Sequence, residues 1–212
     1  MTEVKRRYDA SGRREQARAR RLAVVLAARE LFERDGFRPT TIAAVAARAG
    51  VSPESIYKGF GTKAALAKAV FDLVIAGDDE PVPVAARPAM QAIRDEPDVR
   101  RKIAMFAGGL AQRQARSAGV QILIRDGRHV DDSLAPVWAT LTEEGLAGMT
   151  MLGRHLLGTG QLRDGIGLDE VRDVLWNYLA IDHYERLGLT QRWPLDRYSR
   201  WLAHAIISAL CP

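Results

Sequence analysis

Wherever the apolar residues of this chain repeat, they repeat every three or four positions. Leu22, Val25, Leu26, Leu31 and Phe32 form one such stripe, and Leu66, Ala69, Val70, Leu73 and Val74 another. That interval gathers side chains on one face of a helix, whereas a strand would need strict alternation. Neither alternation nor an internal repeat interrupts the pattern. The spacing predicts an all-α chain of about nine or ten helices.

The expected helices begin near Arg18 and near Thr40 or Thr41, then at Ser52 and at Thr62. Further on, one opens at Pro97 with Ile103, Phe106 and Leu110, and a shorter one carries Val120, Leu123 and Ile124. The longest runs from Leu134 to Leu156, another spans 168–187 with Asp169 as cap, and the last starts near Pro194. The acidic, proline-rich and aperiodic run AGDDEPVPVAARP (76–88) is the clearest linker. It suggests a basic flexible arm over 1–17, a DNA-binding domain over 18–75 that includes the start of a connecting helix, and a helical domain over 76–212.

Composition narrows the setting. The chain has 212 residues, 47% of them hydrophobic, enough for one large domain or two modest ones. No apolar run reaches the roughly 18 residues of a membrane span, and no apolar stretch follows the basic N-terminus as a secretory signal requires. The single cysteine, Cys211, excludes an internal disulfide and fits a reducing compartment, so a cytoplasmic location is expected. Residues 1–70 carry 15 Lys and Arg against 7 Asp and Glu, a balance of +8, while residues 71–212 carry 16 against 19, a balance of −3. A polyanion partner for the N-terminal third is the natural reading.

Within that third, GVSPESIYKGFGTKAAL (50–66) packs two helix starts into a few residues. Gly50 permits the positive φ of a sharp turn, and Ser52 followed by Pro53 is an N-cap with proline at the first helical position. Gly59 is expected to close this helix, and Thr62 to open the next. Two short helices joined this way form a helix-turn-helix, whose second helix enters the major groove N-terminal end first. Pro53, Glu54, Ser55 and Lys58 would then be exposed, and Thr62 and Lys63 would lie over phosphate, where free N–H groups and an ammonium attract the same anion.

The stretch LAARELFERDGFRPTTIAAVAARAGVSPESIYKGFGTKAAL resembles the N-terminal domain of TetR-type transcriptional regulators. The family features stand at Ala28 to Phe37, Thr40 to Ser52 and Ser55 to Leu66, and an actinobacterial-type branch is matched more loosely further on. The resemblance implies a homodimer with two DNA-binding domains and a helical regulatory core that answers to a small-molecule effector. By position it implies phosphate contacts at Thr41, Tyr57 and Lys63, a cap at Thr40, and base-facing roles for Pro53, Glu54, Ser55 and Lys58. It also implies a dimer interface of the last two helices, with Leu175, Leu179, Trp201, Ala205 and Ile206 as candidates. Two departures matter: Gly59 stands where the family carries His or Tyr, and Ala64 where it often carries Glu.

Catalytic patterns are not found. His129, His155, His183 and His204 make no H-E-x-x-H or Cys-His arrangement, so no catalytic residue, metal or cofactor is expected. Aromatic residues, methionines and a histidine recur on the helices after the linker. Core packing accounts for most, and Phe106, Met149, His155 and Trp176 are the candidates for an effector pocket. The sequence thus reads as a dimeric regulator, most simply a repressor, on a double-stranded inverted-repeat operator. The alternative is a helical ligand-binding or protein-interaction module that has lost DNA binding, with Gly59 as the reason.

Overall fold

The computed structural model of the chain describes residues 10–77 and 86–212. Ten α-helices, and no strand, are formed by the described residues. They fall into two units, Met1–Val70 and Phe71–Pro212.

The first unit is built from α1 (Ala10–Asp35), α2 (Ile42–Ala49), α3 (Pro53–Phe60) and the opening turns of α4 (Lys63–Ala76). Its core takes Val25, Leu31 and Phe32 from the predicted stripe, but leaves Leu22 half-buried and Leu26 48% exposed. Val24, Val25, Ala28, Leu31 and Phe32 of α1 are buried together with Ile42, Val45, Ala46, Ile56, Leu66 and Val70. Phe32 and Phe37 meet at 5.5 Å across the first bend. The expected arm over 1–17 needs correction: residues 10–17 are already helix, and residues 1–9 lie outside the described residues. Residues 13–20 are exposed and carry no apolar stripe, yet Arg, Glu, Gln and Ala are strong helix formers and extend α1 without one.

The second unit contains α5 (Pro88–Asp95), α6 (Val99–Gly127), α7 (Leu134–Leu157), α8 (Leu168–Leu179), α9 (Ile181–Tyr184) and α10 (Leu195–Leu210). A π-helical turn, Glu185–Thr190, follows α9. α6 lies against α10 and α7, and α7 against α8. Ile103, Phe106, Leu110, Leu152, Leu156, Val171, Leu175, Tyr198, Leu202 and Ile206 form the shared core.

Three expectations change here. Pro88 does not end a linker but starts α5, which the sequence reading missed; residues 78–85 of that linker lie outside the described residues. The two helices expected between Pro97 and Ile124 are one, α6, because Gly108 and Gly109 do not break it. A Cβ at Gly108 would sit 3.7 Å from Ser199 Oγ, an ordinary contact with α10. The helix expected over 168–187 stops at Ala180, whose extended backbone (φ −57°, ψ 131°) turns the chain. Gly167, not Asp169, precedes its first turn.

Candidate nucleic-acid interface

The helix-turn-helix is held from inside by apolar contacts and at its ends by local hydrogen bonds. Gly50 adopts the left-handed conformation (φ 67°), and its N–H closes α2 on the carbonyls of Ala46 and Ala47. Thr41, not Thr40, caps α2: its Oγ1 accepts from the Ala44 N–H at 3.1 Å. Ser52 caps α3 by accepting from the Ser55 N–H at 3.3 Å, and Thr62 caps α4 by accepting from the Ala65 N–H at 3.0 Å. Three of the helix starts predicted from Ser and Thr positions are therefore present.

α3 turns Ile56 inward, 1% exposed, and leaves Ser52, Glu54, Ser55, Tyr57 and Lys58 in solvent, with Pro53 partly covered. Tyr57 is 55% exposed, although an aromatic ring on a two-turn helix would ordinarily be expected to find cover. The Glu54 carboxyl is held below its ordinary range by a backbone N–H and by the Ser52 hydroxyl, so the leading end of α3 presents an ionised acceptor.

Gly59 neither shortens nor ends α3. The helix passes through it to Phe60 and is closed by Gly61 at φ 77°. Arg21 on α1 holds this end: its guanidinium donates to the Gly59 carbonyl at 3.2 Å and lies 4.2 Å from the Phe60 ring centroid. Nothing in the sequence pattern singled out Arg21 for this role.

Two expected contact residues are occupied elsewhere. Thr40 is 3% exposed, and its hydroxyl is directed at the Gly36 and Leu31 carbonyls, 2.8 and 3.2 Å away, at the end of α1. Its hydroxyl is buried and closes α1 rather than capping α2. Lys63 directs its ammonium to the carbonyls of Phe37, Thr40 and Arg38, at 3.0, 3.1 and 3.4 Å, with the Phe37 ring centroid 4.3 Å away. An ammonium has three donors, and all three face carbonyls of the α1–α2 turn. Lys63 ties α4 to that turn instead of standing free for a phosphate.

Residues 24–70 match the family model of the bacterial regulatory proteins, tetR family. That match covers the helix-turn-helix and the first turns of α4. Solved structures with the same fold cover nearly the whole of this chain. FadR from Bacillus subtilis in complex with stearoyl-CoA is 14% identical with a TM-score of 0.70, over 89% of this chain and 98% of its own. NalD from Pseudomonas aeruginosa, the secondary repressor of the MexAB-OprM multidrug efflux pump, is 17% identical with a TM-score of 0.66, over 93% and 98%. A TetR transcription regulator from Haloarcula marismortui is 13% identical with a TM-score of 0.62, over 90% and 98%. No curated protein matches the sequence significantly.

In the second unit, the candidate effector residues are only partly brought together. Phe106 and Met149, 2% and 8% exposed, share the core. His155 faces Lys102, Nε2 to Nζ 3.0 Å. Burial, then the charges of Lys102 and Arg94, hold its pKa below the ordinary value, so the neutral ring accepts from the ammonium. Trp176 is 40% exposed, on the side of α8 away from buried Val171 and Leu175, and does not join the group.

The interface candidates divide as well. Leu175 and Ile206 are fully buried in their own unit, which removes them from any partner surface. Leu179, Trp201 and Ala205 are partly buried; Trp201 stacks on Tyr198 at 5.8 Å and meets Tyr178 edge-on at 5.9 Å. Among the described residues no helix is long and apolar enough to cross a membrane. No group of three His, Cys, Asp or Glu among them could hold a metal ion.

Proposed function

We propose that this chain is a homodimeric transcriptional repressor that binds an inverted-repeat operator and releases it when a small molecule occupies the second unit. The observation that carries the reading is the outer face of α3. A two-turn helix with Ile56 as its one buried side chain displays Ser52, Glu54, Ser55, Tyr57 and Lys58 to solvent. Such a helix earns nothing for the fold beyond one anchor, and its surface matches the chemistry of groove recognition.

In this reading Thr41 and Tyr57 contact phosphates, while Pro53, Glu54, Ser55 and Lys58 face bases. Ionised Glu54 suits a cytosine amino group, and Lys58 suits guanine. Lys63 acts indirectly, by fixing the start of α4. The dimer forms through α8 and α10, with Leu179, Trp201 and the small Ala205 near the contact. α4 begins in the first unit and ends in the second, so it is the element through which an effector alters the separation of paired α3 helices. Those helices must lie about 34–36 Å apart to read one turn of DNA. The stearoyl-CoA complex of FadR supports a ligand-holding second unit, and NalD supports repression. A DNA target and the lack of a membrane-crossing helix among the described residues support a cytoplasmic location.

The test is an anisotropy titration on an operator selected from random DNA. If about six to ten phosphates are neutralised, affinity falls by about 10³–10⁵ between 50 and 200 mM salt. A flat dependence, or no selected sequence, favours the module that has lost DNA binding. The intact passage of α3 through Gly59 weighs against that alternative.

A further inference from the structure

α6 carries Lys102, Phe106, Gly109, Arg113 and Arg116 at intervals of four, three, four and three, which places them along one face. The two outer cations are each engaged with the carbonyl end of another helix. Buried Lys102 donates to the carbonyls of Ile93 and Arg94, at 2.9 and 2.8 Å, at the end of α5. Arg116 donates to the Val74 carbonyl at 3.4 Å, at the end of α4, beside Gly77.

Arg113, between them, differs. Among the described residues it has neither a carboxylate nor a hydrogen-bond acceptor, although it is partly buried. Its guanidinium folds back over Gly109, where a Cβ would lie 3.1 Å from Nη1, and stands 5.9 Å from the Phe106 ring centroid. Burial, and then the Arg116 charge, push it down to about 10. A desolvated cation without an anion is costly to keep in a fold, and a mid-helix glycine adds to that cost. A guanidinium is also the side chain best shaped for a two-oxygen anion, which it grips with parallel N–H bonds.

We propose that Arg113 is the anion-recognising residue of an effector site on this face of α6, taking the carboxylate or phosphate of a small molecule whose apolar body lies against Phe106. The site deepens the effector reading above and rests on it for its regulatory meaning. An anion there also attracts Arg116 one turn on, and so draws on the side chain that holds the end of α4.

The experiment uses the full-length chain and four probes of one tail length: octanoate, octyl phosphate, octanol and octyltrimethylammonium. Calorimetric titration should show at least one of the two anions binding, with a loss of at least tenfold in Arg113→Gln. The anion that binds identifies the head group. Octanol and octyltrimethylammonium should bind wild type no better than the variant. Arg113→Lys should retain part of the affinity, since it keeps the charge without the fork. The apo variant should melt at or above the wild-type temperature, because an unpaired charge has been removed.

The proposal is overturned if neither anion binds at millimolar concentration, or if both bind Arg113→Gln as tightly as wild type. It is overturned as well if Arg113→Gln melts lower, since that assigns Arg113 to packing. Operator titration with the bound probe separates the two readings. An anion held by Arg113 that leaves DNA affinity unchanged keeps the site and removes its effector role.

Discussion

The two units close their helix ends by different means. In the first, the helix starts are capped from the neighbouring sequence, by Thr41 for α2, Ser52 for α3 and Thr62 for α4, and remote side chains enter only at the end of α3, through Arg21, and at the α1–α2 turn, through Lys63. In the second, several ends are closed by side chains many residues away. The Gln114 amide faces the carbonyls of Tyr178, Leu179 and Ala180, at 3.4, 3.2 and 3.1 Å, where α8 stops, and its oxygen accepts from Tyr198 at 2.9 Å. Lys102 holds the end of α5, Arg116 that of α4, and Arg163 donates to the Ala209 carbonyl at the end of α10. A locally capped helix keeps its shape whatever its neighbours do, which suits a rigid reader. A helix closed by another helix registers any shift between the two, which suits a unit that responds to a ligand.

The largest test of this contrast is Gln114→Ala. Gln114 is 2% exposed, and its loss leaves the carbonyls of α8 and the Tyr198 hydroxyl without their partner. Urea unfolding should show a loss on the order of 3–5 kcal/mol, from buried unsatisfied groups together with the space left behind. A loss below about 1 kcal/mol would show that α8 does not depend on the remote contact.

Next comes the pair of lysines in the first unit. Lys63→Met removes a charge-assisted contact to the α1–α2 turn and should cost about 2 kcal/mol of stability. Lys58→Ala should leave stability unchanged and cost about 1–3 kcal/mol on the operator, relaxing one base position. If both behave as free phosphate contacts, with equal loss on all DNA and no change in stability, the structural role given to Lys63 is wrong.

Local caps should be worth less. Thr41→Ala and Ser52→Ala should each cost about 1 kcal/mol in denaturant titration, and the two should add because each cap acts on its own helix.

The smallest effect concerns His155. The folded chain binds a proton at His155 less tightly than the unfolded chain does, because burial, Lys102 and Arg94 all oppose the charge. Stability should therefore fall as pH drops below the ordinary imidazole value of about 6.5, until the folded form is protonated too. His155→Gln should flatten that slope. An unchanged slope would mean that the Lys102 contact does not govern the titration.

The contrast also explains what could be read from the sequence. Ser52-Pro53, Gly50 and Thr62 announce their helices because cap and helix are adjacent in the chain, and Ile56 among polar neighbours announces the outer face of α3. Thr40 and Thr41 could not be told apart, since either hydroxyl could cap. Only the turn at Gly36 decides which one points inward. The break at Ala180 was hidden because its stabilising partner, Gln114, lies 66 residues away. Leu175 and Ile206 looked like interface residues because an apolar position gives no sign of whether its partner is in the same chain or another. Lys63 looked like a DNA contact because a basic residue in a basic segment suggests a polyanion, whereas it is directed, as Arg21 is, at carbonyls of its own fold. The signal for Arg113 was present in the four-three spacing of cations and glycine on α6, but it acquires meaning only when the outer two are seen to be engaged.

Gly59 has a consequence for how such a reader changes over generations. A Cβ there meets nothing within 4 Å, and the backbone is already helical. A Cβ can therefore enter without displacing a neighbour, and Ala there would raise helix propensity by about 0.5–1 kcal/mol. A new specificity usually threatens the fold that carries it, but at this position the two are uncoupled. A library of small residues at position 59 should consist almost entirely of folded proteins, so that any change in the DNA they select can be read apart from a change in stability.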